Sequence, residues 1–228
     1  MSKEVWVSTA LIGDDLAFYN IASDVSLTAT RKDGQVLARA GWSVTDTVFR
    51  NLRGEPLPAD RFPARILGPG DGDYGSMPDL FSIGGYWLVS PQVAGILRGF
   101  DLGDGHLYPV RMMDSKFERC LLPDHYCLNF GAVKDTVLID GSNNLETAAG
   151  ADLRQPLSRI KDGDLVVTAD ALSGPDLWIE AQVANAFFLS GELAEALGAA
   201  GLAKVFGLRR CAVAGRAGMD AQRAVAAG

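Results

Sequence analysis

The chain has 228 residues, 48% hydrophobic and 21% charged, with a formal net charge of −7. That is enough apolar material to bury the core of one large domain or two small ones, which excludes a chain disordered throughout. The acidic balance argues against non-specific binding to nucleic acid or anionic lipid. It suits either plain solubility or a cationic protein partner.

Glu4 to Leu11 alternates as a first strand with Val5, Val7 and Thr9 on one side, and Gly13-Asp14-Asp15 reads as a turn. Met1-Ser2-Lys3-Glu4 leads into this alternation rather than into an apolar run, so no signal peptide is expected. No stretch of about 18 apolar residues predicts a membrane span, and the cytoplasm is the expected compartment. Lys32-Asp33-Gly34 between β-prone runs predicts a hairpin. Val44 to Leu52 fits a strand or a short helix equally. Arg53 to Pro63 is a connection rich in proline and charge, and Arg65-Ile66-Leu67 is a short apolar step. Residues 1–60 thus read as an N-terminal β-rich portion, 61–215 as the core, and 216–228, mostly Ala, Gly and Arg, as a flexible tail.

Gly68 to Gly75 holds four glycines and two aspartates around one tyrosine. Asp71 and Asp73 alternate with glycine as in a calcium loop, but the pattern needs a glutamate at position 82, which is Ser82. The loop reads better as a linker or as a contact surface, in which Tyr74 supplies an aromatic anchor and Asp71 and Asp73 supply charge to a basic partner.

Two strand–serine–helix units follow. Trp87-Leu88-Val89 runs into Ser90 as a helix cap, Pro91 suits the first helical position, and Val93, Ile96, Leu97 and Phe100 form an apolar face. Phe187-Phe188-Leu189 runs into Ser190, and Leu193, Ala196, Leu197 and Ala200 repeat that face, with Glu192 and Glu195 in the early turns. Gly201 suits a left-handed C′ position, with Leu202 packing back on Leu197. Aligning Ser90 with Ser190 puts Val93 over Leu193, Ala94 over Ala194 and Leu97 over Leu197 without a gap. Duplication and chance similarity both account for this. Strand-like segments follow each helix, His106 to Met113 and Val205 to Val213. His125 to Phe130, Val137 to Asp140 and Leu165 to Thr168 also read as strands.

Three cysteines, Cys120, Cys127 and Cys211, form an odd set without a disulfide framework and are expected to be reduced and buried. Cys120, Asp124, His125 and Cys127 lie within eight residues, yet no CxxC pair supports zinc, so neither metal nor cofactor is expected. The same cluster offers the one nucleophile arrangement, a hydrolase using Cys120 and His125. No P-loop, Gly-x-Ser-x-Gly elbow or dinucleotide fingerprint occurs.

Four stretches taken together carry a resemblance. They are Pro78-Asp79-Leu80; Trp87-Leu88-Val89-Ser90 with its helix and His106-Leu107-Tyr108-Pro109-Val110; Tyr126-Cys127-Leu128-Asn129-Phe130; and Gly174-Pro175-Asp176-Leu177-Trp178 with Phe187-Phe188-Leu189-Ser190 and Gly201-Leu202. Over roughly residues 60–213 the chain resembles immunity protein family eleven of bacterial polymorphic toxin systems, formerly catalogued as domain of unknown function 1629. Gly191 departs from it, standing where an acidic residue is expected, and so does the loop at 68–75. The resemblance implies an intracellular protein without catalysis that binds a cognate toxin domain, so no catalytic residue is carried over. The motif residues Asp79, Trp87, Ser90, Gly174, Pro175, Asp176, Trp178, Ser190 and Gly201 read as structure: Trp87 and Trp178 as core aromatics, Ser90 and Ser190 as caps, and Gly174-Pro175-Asp176 as a turn whose aspartate bonds local backbone. The expected fold is α+β, with short, mostly antiparallel strands and two principal helices. A toxin-neutralising protein is the leading functional reading, beside a regulatory or structural binding module and the Cys120/His125 hydrolase.

Overall fold

A computed structural model describes residues 4–12, 18–19, 44–67, 77–114, 118–148 and 152–215. The Lys32–Gly34 hairpin, the 68–75 loop with Asp71, Asp73 and Tyr74, and the 216–228 tail lie outside these residues. The fold is α+β, and most of its strand pairs are antiparallel. By contact the chain divides into two compact units, residues 1–15, 100–103 and 132–228 in unit 1 and residues 16–99 and 104–131 in unit 2. Both units draw on residues from either side of position 60.

Unit 2 carries a sheet built from β2 (Phe18–Tyr19), β3 (Arg65–Leu67), β4 (Leu80–Ile83), β5 (Tyr86–Val89), β6 (His106–Met113) and β7 (Cys120–Asn129), in the order β2-β4-β5-β7-β6-β3. Gly84 and Gly85, at φ 57° and 88°, make the two-residue turn that joins β4 to β5. Strand β7 begins at Cys120, ahead of the expected start at His125. It pairs with β6 through register shifts between Val110 and Met113. Val44–Leu52 is a helix, α1, which buries Thr47 and Asn51. Helix α2 (Pro91–Leu97) starts at Ser90, whose Oγ accepts the Val93 amide at 3.3 Å, with Pro91 at the first helical position. The core of unit 2 gathers Leu57, Phe62, Ile66, Phe81, Tyr86, Leu88, Val110 and Met112.

Unit 1 carries β1 (Val5–Ser8), β8 (Val133–Lys134), β12 (Leu177–Glu180), β13 (Phe187–Ser190) and β14 (Leu208–Arg210), in the order β14-β1-β13-β12-β8. Two small pairs accompany this sheet, β9 (Leu145–Thr147) with β10 (Arg154–Pro156), and β11 (Val166–Val167) with β15 (Ala212–Val213). The expected last strand is therefore two short strands in different sheets. Val137 makes only an isolated bridge to Val167, and Ile139–Gly141 is a 3-10 turn, so the expected strand at 137–140 does not form. Val5, Val7, Trp178, Phe188 and Cys211 share the core of this unit, and Trp178 stacks on Phe188 with ring centroids 6.0 Å apart.

Helix α3 (Gly191–Ala199) has its start and its stop where the sequence places them. The Oγ of Ser190 accepts the Leu193 amide at 3.3 Å. Gly201 takes φ 78°, its amide reaches the Gly198 carbonyl, and the Leu202 amide reaches the Leu197 carbonyl, both at 2.9 Å, which is a Schellman ending. The apolar faces are narrower than expected. Val93, Ala94 and Leu97 are buried in α2, and Gly191, Leu193, Ala194 and Leu197 in α3. Ile96, Phe100, Ala196 and Ala200 are only half-buried, because each helix rests one edge on its sheet.

Candidate functional site

The Gly174–Trp178 motif builds a cradle within unit 1. Gly174 turns the chain at φ 81°, a left-handed conformation that favours glycine, and β12 then carries Trp178 into the core. Lys134, on the adjacent strand β8, fills the cradle. Its Nζ lies 3.5 Å from the centroid of the Trp178 ring and donates to the Ala171 and Pro175 carbonyls at 3.2 and 3.0 Å. The Trp178 indole N–H in turn donates to Glu180 Oε1 at 2.8 Å. Glu180 is buried, and its carboxylate also accepts the Thr136 hydroxyl on Oε1 and the Thr136 and Val137 amides on Oε2 at 2.7 and 3.2 Å. These four donors satisfy the acceptors of a buried carboxylate that would otherwise be costly to bury.

Burial pulls the Lys134 ammonium down to about 8, against an upward pull from Glu180, Asp176 and Asp101. The Cys211 thiol is pushed up by burial, then by Glu180 and Asp162, so it stays protonated and unreactive at neutral pH. Asp176 does not bond local backbone as expected. Its Oδ2 accepts the amide of Asp101, 75 residues away, at 2.9 Å, and the Asp176 amide returns to the Asp101 carbonyl at 2.6 Å. The motif ties distant segments together because a short polar side chain at a turn can reach a neighbouring chain as easily as its own.

Unit 2 has a second clamp, made of neutral groups. Asn51 of α1 accepts on Oδ1 from the Asn129 side chain at 2.8 Å and from the Phe130 amide at 2.9 Å, and it donates to the Leu128 carbonyl at 3.0 Å. Asn129 also donates to the Glu55 and Phe130 carbonyls and accepts the Leu57 amide. Both asparagines are buried. Asn129 closes the Tyr126–Phe130 motif, so that motif pins α1 and the connection after it to the end of β7. Asp79 serves the cap of α2: its carboxylate accepts the Ser90 hydroxyl and its carbonyl accepts the Ser90 amide at 3.0 Å. Trp87 and Trp178 are buried, as expected.

Sequence reasoning missed Lys134, Glu180, Thr136 and Asn51. No motif flags them, and the one available signal was a glutamate ending a run otherwise apolar, Leu177-Trp178-Ile179-Glu180. Of the residues considered for hydrolysis, Cys120 is exposed, against the expectation of burial, whereas His125 and Cys127 are buried. The His125 ring stands edge-on to Phe81 at 5.7 Å. The three cysteines form no disulfide. No group of three or more His, Cys, Asp or Glu side chains with metal-binding geometry occurs among the described residues. A shallow cleft of about 430 Å³ beside β14 is lined by Trp6, Lys161, Asp162, Leu208 and Arg209. Arg209 is tethered there by the Ile160 and Leu208 carbonyls.

The two clamps define a class of arrangement rather than a reaction. Their ionisable and amide groups are engaged by protein partners, so their chemistry is that of holding segments in register. No protein-family model matches the chain, and no curated protein is similar to it. Among the described residues, no helix is long and apolar enough to cross a membrane.

Proposed function

We propose that the chain is a cytoplasmic, non-catalytic immunity protein that binds a cognate bacterial toxin domain and occludes its active site. The observation that carries this reading is the engagement of the motif residues on which the family resemblance rests. Asp79 and Ser90 close a helix start, Gly174 to Trp178 hold Lys134, and Asn129 holds α1. Such residues make a rigid scaffold, and recognition then falls to the surface and its loops. The net charge of −7 suits a cationic toxin through faster, oriented docking. Within this reading the 68–75 loop is the proposed contact, with Tyr74 as anchor and Asp71 and Asp73 as charge.

The test is co-expression with the C-terminal domain encoded by the adjacent gene, scored by growth. Restored growth supports the reading; unchanged killing, with the protein folded and abundant, overturns it. Asp71→Lys with Asp73→Lys tests the contact separately, by slowing association and weakening its salt dependence.

A further inference from the structure

The two sheets have the same construction. Matched at Ser90 and Ser190, Leu80↔Val89 and Phe81↔Leu88 correspond to Leu177↔Leu189 and Trp178↔Phe188. The serine amide bonds the aspartate carbonyl in both, Ser90 to Asp79 at 3.0 Å and Ser190 to Asp176 at 2.9 Å. On the outer side, each hairpin takes a two-residue parallel strand in one register. Phe18↔Ser82 and Tyr19↔Ile83 correspond to Val133↔Ile179 and Lys134↔Glu180. On the inner side, the strand beside the serine hairpin is β7 in one sheet and β1 in the other. Val89 faces Tyr126 and Leu189 faces Trp6. That strand is followed in each by the strand after the helix, with Tyr126 facing Pro109 and Trp6 facing Arg210. Four successive strand interfaces therefore share one register, a match that a chance likeness of two serine-capped helices does not produce.

The order along the chain differs in one respect. Unit 2 takes its inner strand, β7, from directly after β6. Unit 1 takes β1, whose Ser8 bonds the carbonyl of Phe206, 198 residues away. Read in chain order, an inner strand, a parallel outer strand, a hairpin, a capped helix and a last strand occur twice: β1, β2, β4, β5, α2, β6, and then β7, β8, β12, β13, α3, β14. The inner strand of each run sits in the sheet of the other.

We propose that the chain is a tandem duplication whose halves have exchanged their inner strands, and that β1 is a donor strand, a separable segment whose insertion between β13 and β14 completes unit 1. The slot is specified by chemistry. Val5 and Val7 enter the core with Trp178 and Phe188, while the Val5 carbonyl accepts the Cys211 amide at 2.8 Å and the Glu4 carbonyl accepts the Gly191 amide at 2.9 Å. Among the described residues, the strands that β1 pairs with, β13 and β14, both belong to unit 1, and the unit 2 strands pair with one another. Loss of β1 therefore opens unit 1 alone.

The experiment uses the full chain with a protease site inserted between Ile12 and Gly13. After cleavage, residues 1–12 stay bound. Mild denaturant then releases them, and hydrogen exchange of the β13 and β14 amides accelerates at least tenfold while the β4 and β5 amides keep their protection. Added synthetic peptide of residues 1–12 restores protection, and the same peptide carrying Val7→Asp binds at least tenfold more weakly. The proposal is overturned if both units lose protection together, if β13 and β14 stay protected after release, or if the two peptides bind alike. Should the nicked chain precipitate, the intact Val7→Ala chain decides: at least tenfold faster exchange confined to β13 and β14 supports the donor strand, and equal acceleration in both units overturns it.

Discussion

The two units hold the same strand-and-helix frame with opposite chemistry. Unit 1 is clamped by charge, with Lys134 over Trp178 and Glu180 saturated by four donors. Unit 2 is clamped by amides, with Asn51 and Asn129 bonded to each other and to backbone. A neutral clamp tolerates any pH and fails when a charge is put into it. An ionic clamp responds to pH and fails when its charge is left without donors or donors without their charge. The same frame can thus be locked by either kind of polar group, provided that the group is fully satisfied.

Exchanging the two chemistries has the largest expected effect. Asn129→Asp would aim a carboxylate oxygen at the Asn51 Oδ1 and at the Glu55 and Phe130 carbonyls, all acceptors. We expect a loss of about 3–5 kcal/mol in unit 2, as for an uncompensated buried charge. Glu180→Ala strands the Trp178 indole and the Thr136 and Val137 amides in unit 1, with a loss of about the same size. Urea unfolding read by amide exchange in each unit checks both. If each variant weakens both units equally, the clamps are not local and the comparison fails.

Core packing comes next. Leu97 and Leu197 occupy matched positions and are both fully buried. Truncating either to alanine should cost about 2–5 kcal/mol. The prediction is near-equal losses, each in its own unit, measured in the same way. A several-fold disparity would mean that the two helices pack on different surroundings despite their shared register.

How much of this was legible in the sequence follows from how local each signal is. Ser90, Pro91, Ser190 and Gly201 act within one turn of their own position, and the structure places them as the sequence implies. The apolar spacing of Val93 and Leu97, or of Leu193 and Leu197, is likewise a local pattern. Lys134, by contrast, meets Ala171 and Pro175 across 37 and 41 residues, and Asn51 meets Asn129 across 78. Nothing in a run of neighbours marks such a pairing. The duplication was half visible for the same reason: its hairpin and helix are contiguous, but its inner strand comes from the far end of the chain. Cys120 was expected to be buried from composition alone, yet at the start of β7, opposite Met113, it is exposed.

The ionic clamp makes unit 1 the alkaline-sensitive half. Lys134 titrates near 8 when folded and at 10.5 when free. Below pH 8 both states carry the proton and folding bears the cost of burying the charge. As pH rises from 8 towards 10.5 the folded amine is neutral while the unfolded one still binds a proton, so this group raises stability with pH. Cys211 acts in the opposite sense above about 9, because its folded thiol resists ionisation, and Tyr108 does so in unit 2 above about 10. The window that isolates Lys134 is therefore pH 8 to 9. We expect unit 1 to gain at most about 1 kcal/mol across it, since a half-buried amine is partly screened. Unit 2 should not change, and Lys134→Met should abolish the gain. A gain that survives the substitution would assign the titration to another group.

The smallest contrast concerns the caps. Both serines accept an amide at 3.3 Å, so Ser90→Ala and Ser190→Ala each remove a cap worth about 1 kcal/mol. Their surroundings differ. The Ser90 hydroxyl also donates to the Asp79 carboxylate, whereas the matched Asp176 spends its carboxylate on the Asp101 amide. Ser90→Ala therefore loses a charge-assisted bond as well and should cost about 1 kcal/mol more than Ser190→Ala. The excess should shrink in the Asp79→Asn background, where the amide oxygen can still accept the hydroxyl but carries no charge, while the cost of Ser190→Ala stays the same. A double-mutant cycle in urea measures the difference directly. Equal costs for the two serines in the wild-type background would show that the Asp79 contact adds nothing to the cap, and the two helix starts would then be equivalent in energy as well as in geometry.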